Sequence, residues 1–266
     1  MYYKIFPLFN GLFSVRFGEI HTQFDKIRSI PSFVFLIIAD DNEAFLVDCG
    51  FASDYIPGIN SIYLRKPEEE LHNALLRHNI YPDKIKTIIQ THLHWDHTGG
   101  MNLFPNATFH VQSRELSGII DVGILEECSF EVHRWLPYLD RFNLIDGHAE
   151  IRPGLNVLAS GIHTPGHQVV EVKTRSGTVI LGGDEPLLYD NLWDMIPEKA
   201  KQRYLDEADP KFFWDQEARS IILSKLNAEG KIGMINPQFM SFHNIKKRAD
   251  KFLSSHDPGL KEISYL

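Results

Sequence analysis

The chain has 266 residues and is 43% hydrophobic, enough to bury a full core, and its formal charge is -8. That acidic balance lacks the lysine and arginine density that displaces counterions from a phosphate backbone, which argues against nucleic acid as a partner. Two cysteines without CxxC spacing, Cys49 and Cys128, suggest neither a disulfide scaffold nor a thiolate zinc knuckle, and the longest apolar run, Phe33 to Ala39, is too short to span a bilayer.

The opening MYYKIFPLFNG carries a single lysine and no long apolar stretch, so it does not read as a signal peptide, and a cytoplasmic setting is expected. No repeat, low-complexity block or Gly/Ser linker interrupts the chain, so a single domain over 1–266 is expected. FVFLIIA (33–39), the polar turn Asp40-Asp41-Asn42 and AFLVD (44–48) predict a buried hairpin. From Pro67, PEEELHNALLRHNI places Leu71, Leu75 and Leu76 at helical spacing, with acids in the first turn where the helix dipole favours them. KTIIQ (86–90) returns to strand chemistry and delivers the chain to THLHWDHTGG, at the carboxyl end of a strand, where α/β architectures usually bind ligands. Further short strands are predicted at 107–112, 156–159, 169–173 and 178–181, with helical excursions at about 113–146 and about 197–250. The basic run Lys246-Lys247-Arg248 reads as a solvated helix face.

Three imidazoles and a carboxylate fall within six residues at His92, His94, Asp96 and His97. These are the nitrogen and oxygen ligands that zinc and other borderline first-row metals take. Residues 92 and 94 share a side of an extended segment, and a following turn frees Asp96 and His97 to address a second metal. Gly99 and Gly100 then let the backbone pass close to the site. A lone histidine in a turn is usually structural; His167, in Thr164-Pro165-Gly166-His167, gains weight because the first metal still lacks a third nitrogen. Asp184, in Leu181-Gly182-Gly183-Asp184, would ordinarily be a turn residue or cap, and beside these motifs it is a carboxylate able to bridge two cations.

HxHxDH, then TPGH, then GGD, after a V-D-C-G hairpin edge, resembles the metallo-β-lactamase fold superfamily from about Phe33 to His256. The sequence around 184–192 (DEPLLYDNL) and the ending SSHDP resemble its N-acyl homoserine lactonase-like branch. The resemblance implies an α+β chain folded as a four-layer αββα sandwich. It also implies two divalent metal ions, zinc first, with iron or manganese as alternatives. His92, His94 and His167 would hold the first metal, Asp96, His97 and a late histidine the second, and Asp184 would bridge both. For the late histidine the motif favours His256, at the end of a short apolar strand, over His243 on the preceding helix. Leu187 stands where this branch often carries a tyrosine that polarises a carbonyl, so Tyr189 would take that part only with a rearranged loop. Glu185 and Pro186 likewise replace small residues.

Paired cations can share a hydroxide near neutral pH that attacks an ester, lactone, thioester or amide carbon, while Asp96 helps protonate the leaving group. The leading expectation is hydrolysis of a small carboxyl ester or lactone, an acyl homoserine lactone among them. A glyoxalase II-type thioester hydrolase, a phosphodiesterase or nuclease, and an iron-binding redox protein are the alternatives. Aromatics crowd both helical excursions, Phe130, Trp135, Phe212 and Trp214 among them, as core, as lining of an apolar channel or as a homodimer surface.

Overall fold

The computed structural model describes residues 1–16, 27–52, 61–120, 129–161, 163–184, 216–232, 239–262 and 264–266. Twelve strands form two sheets among these residues. The first sheet contains β1 (Tyr3–Arg16), β2 (Ile27–Ala39), β3 (Ala44–Val47), β4 (Ser61–Leu64), β5 (Thr87–Ile89), β6 (Thr108–Gln112) and β7 (Phe142–Ile145), in the order β4-β1-β2-β3-β5-β6-β7. The second contains β8 (Ala149–Arg152), β9 (Leu155–Ala159), β10 (Gln168–Thr174), β11 (Gly177–Leu181) and β12 (Lys251–Leu253), in the order β12-β11-β10-β9-β8. The helices are α1 (Leu71–Leu76), α2 (Trp95–Thr98), α3 (Ser113–Ile120), α4 (Val132–Trp135), α5 (Gln216–Ala228) and α6 (Phe242–Arg248).

The period of two in a strand explains why FVFLIIA is apolar throughout. Phe33, Phe35 and Ile37 pack into the core between the sheets, where they meet Val157, Val170, Val172 and Leu181. Val34 and Leu36 point the other way, into a cluster built with Leu71 and Leu75 of α1, Leu116 and Ile119 of α3, and Ile222 and Leu226 of α5. On the far face of the second sheet, Leu158, Val169 and Ile180 cover Ile245 of α6. Helices, sheet, sheet and helix therefore stack in four layers, the αββα sandwich expected from the sequence. At about 25 cal/mol per Å2, each fully buried Phe or Leu side chain contributes roughly 1.5–3 kcal/mol.

The predicted hairpin forms as β2 and β3, paired antiparallel from Phe35↔Val47 to Ile38↔Ala44. One expectation needs correction. The stretch 113–146 is not helical throughout: α3 and α4 are followed by a 3-10 turn at Leu136–Arg141, and Phe142–Ile145 joins the sheet parallel to β6. Its alternating buried and exposed residues, Phe142 in and Asn143 out, suit a strand edge better than a helix face. In the stretch 197–250, the described residues hold α5 and α6, with 197–215 and 233–238 outside the described residues. The N-terminal segment is a 14-residue strand, β1, that no sequence expectation covered; it pairs with β2 from Tyr3↔Ala39 onward, with a register shift between Phe9 and Leu12. Among the described residues no helix is long and apolar enough to cross a membrane.

Candidate metal centre

The site lies where several strand ends of both sheets meet. After β5 ends at Ile89, the chain passes through Thr91, His92 and His94 in non-regular backbone, and α2 carries Asp96 and His97. Asp184 follows β11, and His256 follows β12 by three residues. Gly99 lets α2 dock: a Cβ there would sit 2.1 Å from the backbone nitrogen of Ala52. Gly183, at φ +57, runs against Thr91, whose Cβ would lie 2.8 Å from an added Cβ.

Two groups of potential ligands emerge, each with its donor atoms within 4.8 Å of one another: His92, His94, His163 and Asp184; and Asp96, His97, Asp184 and His256. Asp184 belongs to both. Its Oδ1 stands 2.8 Å from His97 Nε2 and 2.9 Å from His256 Nε2, and its Oδ2 lies 3.2 Å from His163 Nε2 and 3.9 Å from His92 Nε2. Asp96 Oδ2 is 3.5 Å from both His97 Nε2 and His256 Nε2. Tetrahedral coordination with bonds of about 2.0–2.2 Å separates ligand atoms by about 3.3–3.6 Å, which these spacings bracket. His92 Nε2, His94 Nε2, His97 Nε2, His167 Nε2 and Asp184 Oδ1 are buried without a hydrogen-bond partner. Leaving such atoms unsatisfied costs about 1–3 kcal/mol each, so donors aimed at a common point rather than at one another fit a cation.

The opposite edge of three of these imidazoles is held. Thr91 donates its hydroxyl to Asp48 and so accepts from His92 Nδ1 at 3.0 Å. His97 Nδ1 donates to Asp48 Oδ2 at 2.8 Å, and His256 Nδ1 donates to the carbonyl of Pro31 at 2.8 Å. These bonds leave Nε2 facing the carboxylates, the arrangement that orients metal-binding histidines. Burial pushes His92 well below the ordinary imidazole range, His94 down to about 4 and His163 to about 3, keeping them in the neutral form that ligates. In the other group burial acts the same way but is overcome by carboxylates: Asp184 and Asp96 lift His256 to about 10 and hold His97 well above its usual value. Burial would raise Asp96 and Asp184, and the neighbouring imidazoles instead draw both below the carboxylate range.

Six of the seven residues expected as ligands, His92, His94, Asp96, His97, Asp184 and His256, come together in these groups. His243 lies exposed on α6, away from them. His163, four residues before His167, joins the first group, while His167 lies beside that group, its ring 5.3 Å from that of His92 and its Nε2 buried without a hydrogen-bond partner. The chain enters β10 at Gln168, so His167 is fastened to the sheet end: its N–H donates to Thr164 O, its carbonyl accepts from Ser160 and Gly161, and its Nδ1 donates to Ser160 Oγ at 2.8 Å. His163 sits on the turn that projects from that anchor and reaches His94 Nδ1 at 3.1 Å. Two histidines flank Thr164-Pro165-Gly166, and the first of them was the signal that a search for TPGH passes over. Asp48, at φ +65, was also overlooked as the support of His97. Tyr189, with Glu185, Pro186 and Leu187, lies outside the described residues.

The model of the metallo-beta-lactamase superfamily matches residues 28–208. The N-acyl homoserine lactonase AiiA of Bacillus thuringiensis subsp. kurstaki is 29% identical over 184 residues, 65% of this chain and 70% of that one. An N-acyl homoserine lactonase of Bacillus cereus is 33% identical with the same coverage. Among solved structures, an N-acyl homoserine lactone hydrolase with the product N-hexanoyl-L-homoserine at its catalytic metal centre superposes with a TM-score of 0.63. It is 21% identical and covers 98% of this chain and 96% of that one, a likeness of fold. The four-layer fold, the convergent histidines and aspartates and the match over most of the sequence establish that the chain belongs to the metallo-beta-lactamase superfamily.

Proposed function

We propose that this protein is a two-metal hydrolase of small carboxyl esters or lactones, with an N-acyl homoserine lactone as the substrate to try first. The observation that carries the reading is Asp184 shared between two four-donor groups, in a chain whose relatives are lactonases. His92, His94, Asp184 and the histidines of the 163–167 turn, His163 and His167, would hold one divalent cation, and Asp96, His97, His256 and Asp184 the other, with zinc proposed for both. Bound in this way, paired cations supply Lewis acidity toward a carbonyl and a nucleophile at neutral pH.

The protein's own part is geometric and electrostatic. Thr91, Asp48 and Pro31 lock His92, His97 and His256 through their outer nitrogens, so little reorganisation is needed when charge develops on the substrate. The carboxylate of Asp96, between His97 and His256, is the proposed carrier of a proton to the leaving alkoxide. Phe130, fully buried with its ring 4.6 Å from that of His94, and Trp95 keep water from the flanks of the site. A cytoplasmic setting belongs to the same proposal, since two cysteines without a disulfide framework fit a reducing compartment.

The test is elemental analysis of the purified protein together with turnover of N-hexanoyl homoserine lactone, a glutathione thioester and a chromogenic phosphodiester. Two cations per chain with lactone opening preferred is the expected result. Two cations with turnover of the thioester or the phosphodiester alone would overturn the substrate class while leaving the metal reading in place.

A further inference from the structure

Glu115 is a fully buried carboxylate outside both ligand groups, and it uses both oxygens. Its Oε1 accepts from the backbone N–H of Leu93 at 2.9 Å. Its Oε2 accepts from the Thr164 hydroxyl at 2.7 Å and from the backbone N–H of Gly166 at 2.9 Å. Leu93 is the residue between His92 and His94, and Thr164 directly follows His163. One side chain on α3 therefore ties together the two loops that carry the three nitrogens of the first donor group.

We propose that Glu115 is the positioning residue of that group: it sets the separation of the 163–167 turn, with its histidines at either end, from His92 and His94, and so governs occupancy of the first metal position ahead of the second. The inference rests on the two-metal reading above. The loops, 71 positions apart in the sequence, are joined at their base where Gln168 N–H donates to Thr91 O at 2.9 Å, and Glu115 adds the tie that reaches Leu93 on one loop and Thr164 and Gly166 on the other. The helix is also fitted tightly to the turn. A Cβ on Gly166 would fall 2.1 Å from the nitrogen of Glu115, and one on Gly118 would fall 2.4 Å from Cβ of Pro165, so the turn lies directly against the backbone of α3. A carboxylate suits the place because it only accepts; a glutamine of the same shape turns an NH2 toward either Leu93 N–H or the Thr164 and Gly166 donors, and one buried donor then faces another.

The experiment compares the parent, E115Q and E115D, each loaded with Co2+ and then with Zn2+. It follows stoichiometry against a competing chelator, the visible Co2+ absorption of each position, and far-UV circular dichroism. The expected result is a folded E115Q whose first cation is bound about 10- to 100-fold more weakly, the usual effect of losing an outer partner of a metal ligand, with the second position's spectrum unchanged. E115D, which keeps the charge but is one methylene shorter, should recover part of the affinity; it also carries the test should E115Q not fold, since it is then expected to weaken the first cation selectively. Equal weakening of both positions, or parent affinity and spectrum in both variants, would overturn the assignment. A parent that binds fewer than two cations would instead overturn the two-metal reading itself, an outcome visible before any variant is made.

Discussion

Replacing Asp48 with asparagine removes a single charge and changes almost no volume, and its effect can be worked from three bonds. Asp48 accepts from Thr91 N–H at 2.7 Å, from the Thr91 hydroxyl at 2.9 Å and from His97 Nδ1 at 2.8 Å, and it is buried at φ +65. Asparagine tolerates that left-handed backbone, so strain adds little. Its amide oxygen can keep Thr91 N–H, which turns the NH2 toward His97 Nδ1. Either two donors then meet in a buried place, at about 1–3 kcal/mol, or His97 changes tautomer and carries its proton on Nε2, the atom that faces Asp184 and Asp96. Both routes weaken the second metal position, by about 10- to 100-fold, or about 1.4–2.8 kcal/mol. Competition with a chromophoric chelator measures this directly, and circular dichroism separates it from unfolding. A folded D48N with the parent's affinity at both positions would refute the claim that His97 is oriented through its outer nitrogen.

Metal content should separate the histidines: H256A is expected to lose one cation per chain while H243A keeps both, and H163A and H167A compared assign the first position, since the variant that loses a cation has lost its ligand. The metal-free protein should have a distinctive pH profile. His256 is held at about 10 against an unfolded value near 6.5, so its contribution is fully present below about pH 6.5 and is lost as pH rises through 10. Asp96 and Asp184, held low, contribute above about pH 4 and lose that contribution as pH falls. Urea midpoints of chelator-treated protein should therefore fall between pH 6.5 and 10, and a steady rise there would contradict the assignment. Cation uptake near pH 7 should displace the His256 proton, seen as a binding heat that depends on the buffer's ionisation enthalpy. Finally, G99A forces a Cβ against the backbone of Phe51 and Ala52 and is expected to cost about 1–3 kcal/mol in denaturant unfolding; an unchanged midpoint would show that the α2 docking is looser than the contact implies.

What the amino-acid sequence determined by itself was whatever is local in the chain. FVFLIIA was legible as a buried strand, apolar on both faces because each face meets a different layer, while the αββα layering itself came from the resemblance carried by the HxHxDH, TPGH and GGD motifs. His92, His94, Asp96 and His97 were legible because six consecutive residues cannot spread far apart, so ligand chemistry at that spacing implies a shared site. The preference for His256 over His243 also came from local context, an apolar strand against a helix. Only the tertiary structure decided what depends on distant segments meeting. His163 and His167 flank the same three residues, and which of them reaches Asp184 depends on where β10 begins and how Ser160 anchors the turn. β1 was invisible as a strand because its partners, β2 and β4, fix its pairing from outside the segment. Asp48 and Glu115 are ordinary acids in sequence; their parts arise because one is buried against Thr91 and His97 and the other against two loops 71 positions apart, and no short-range pattern encodes a contact made by closure of the fold.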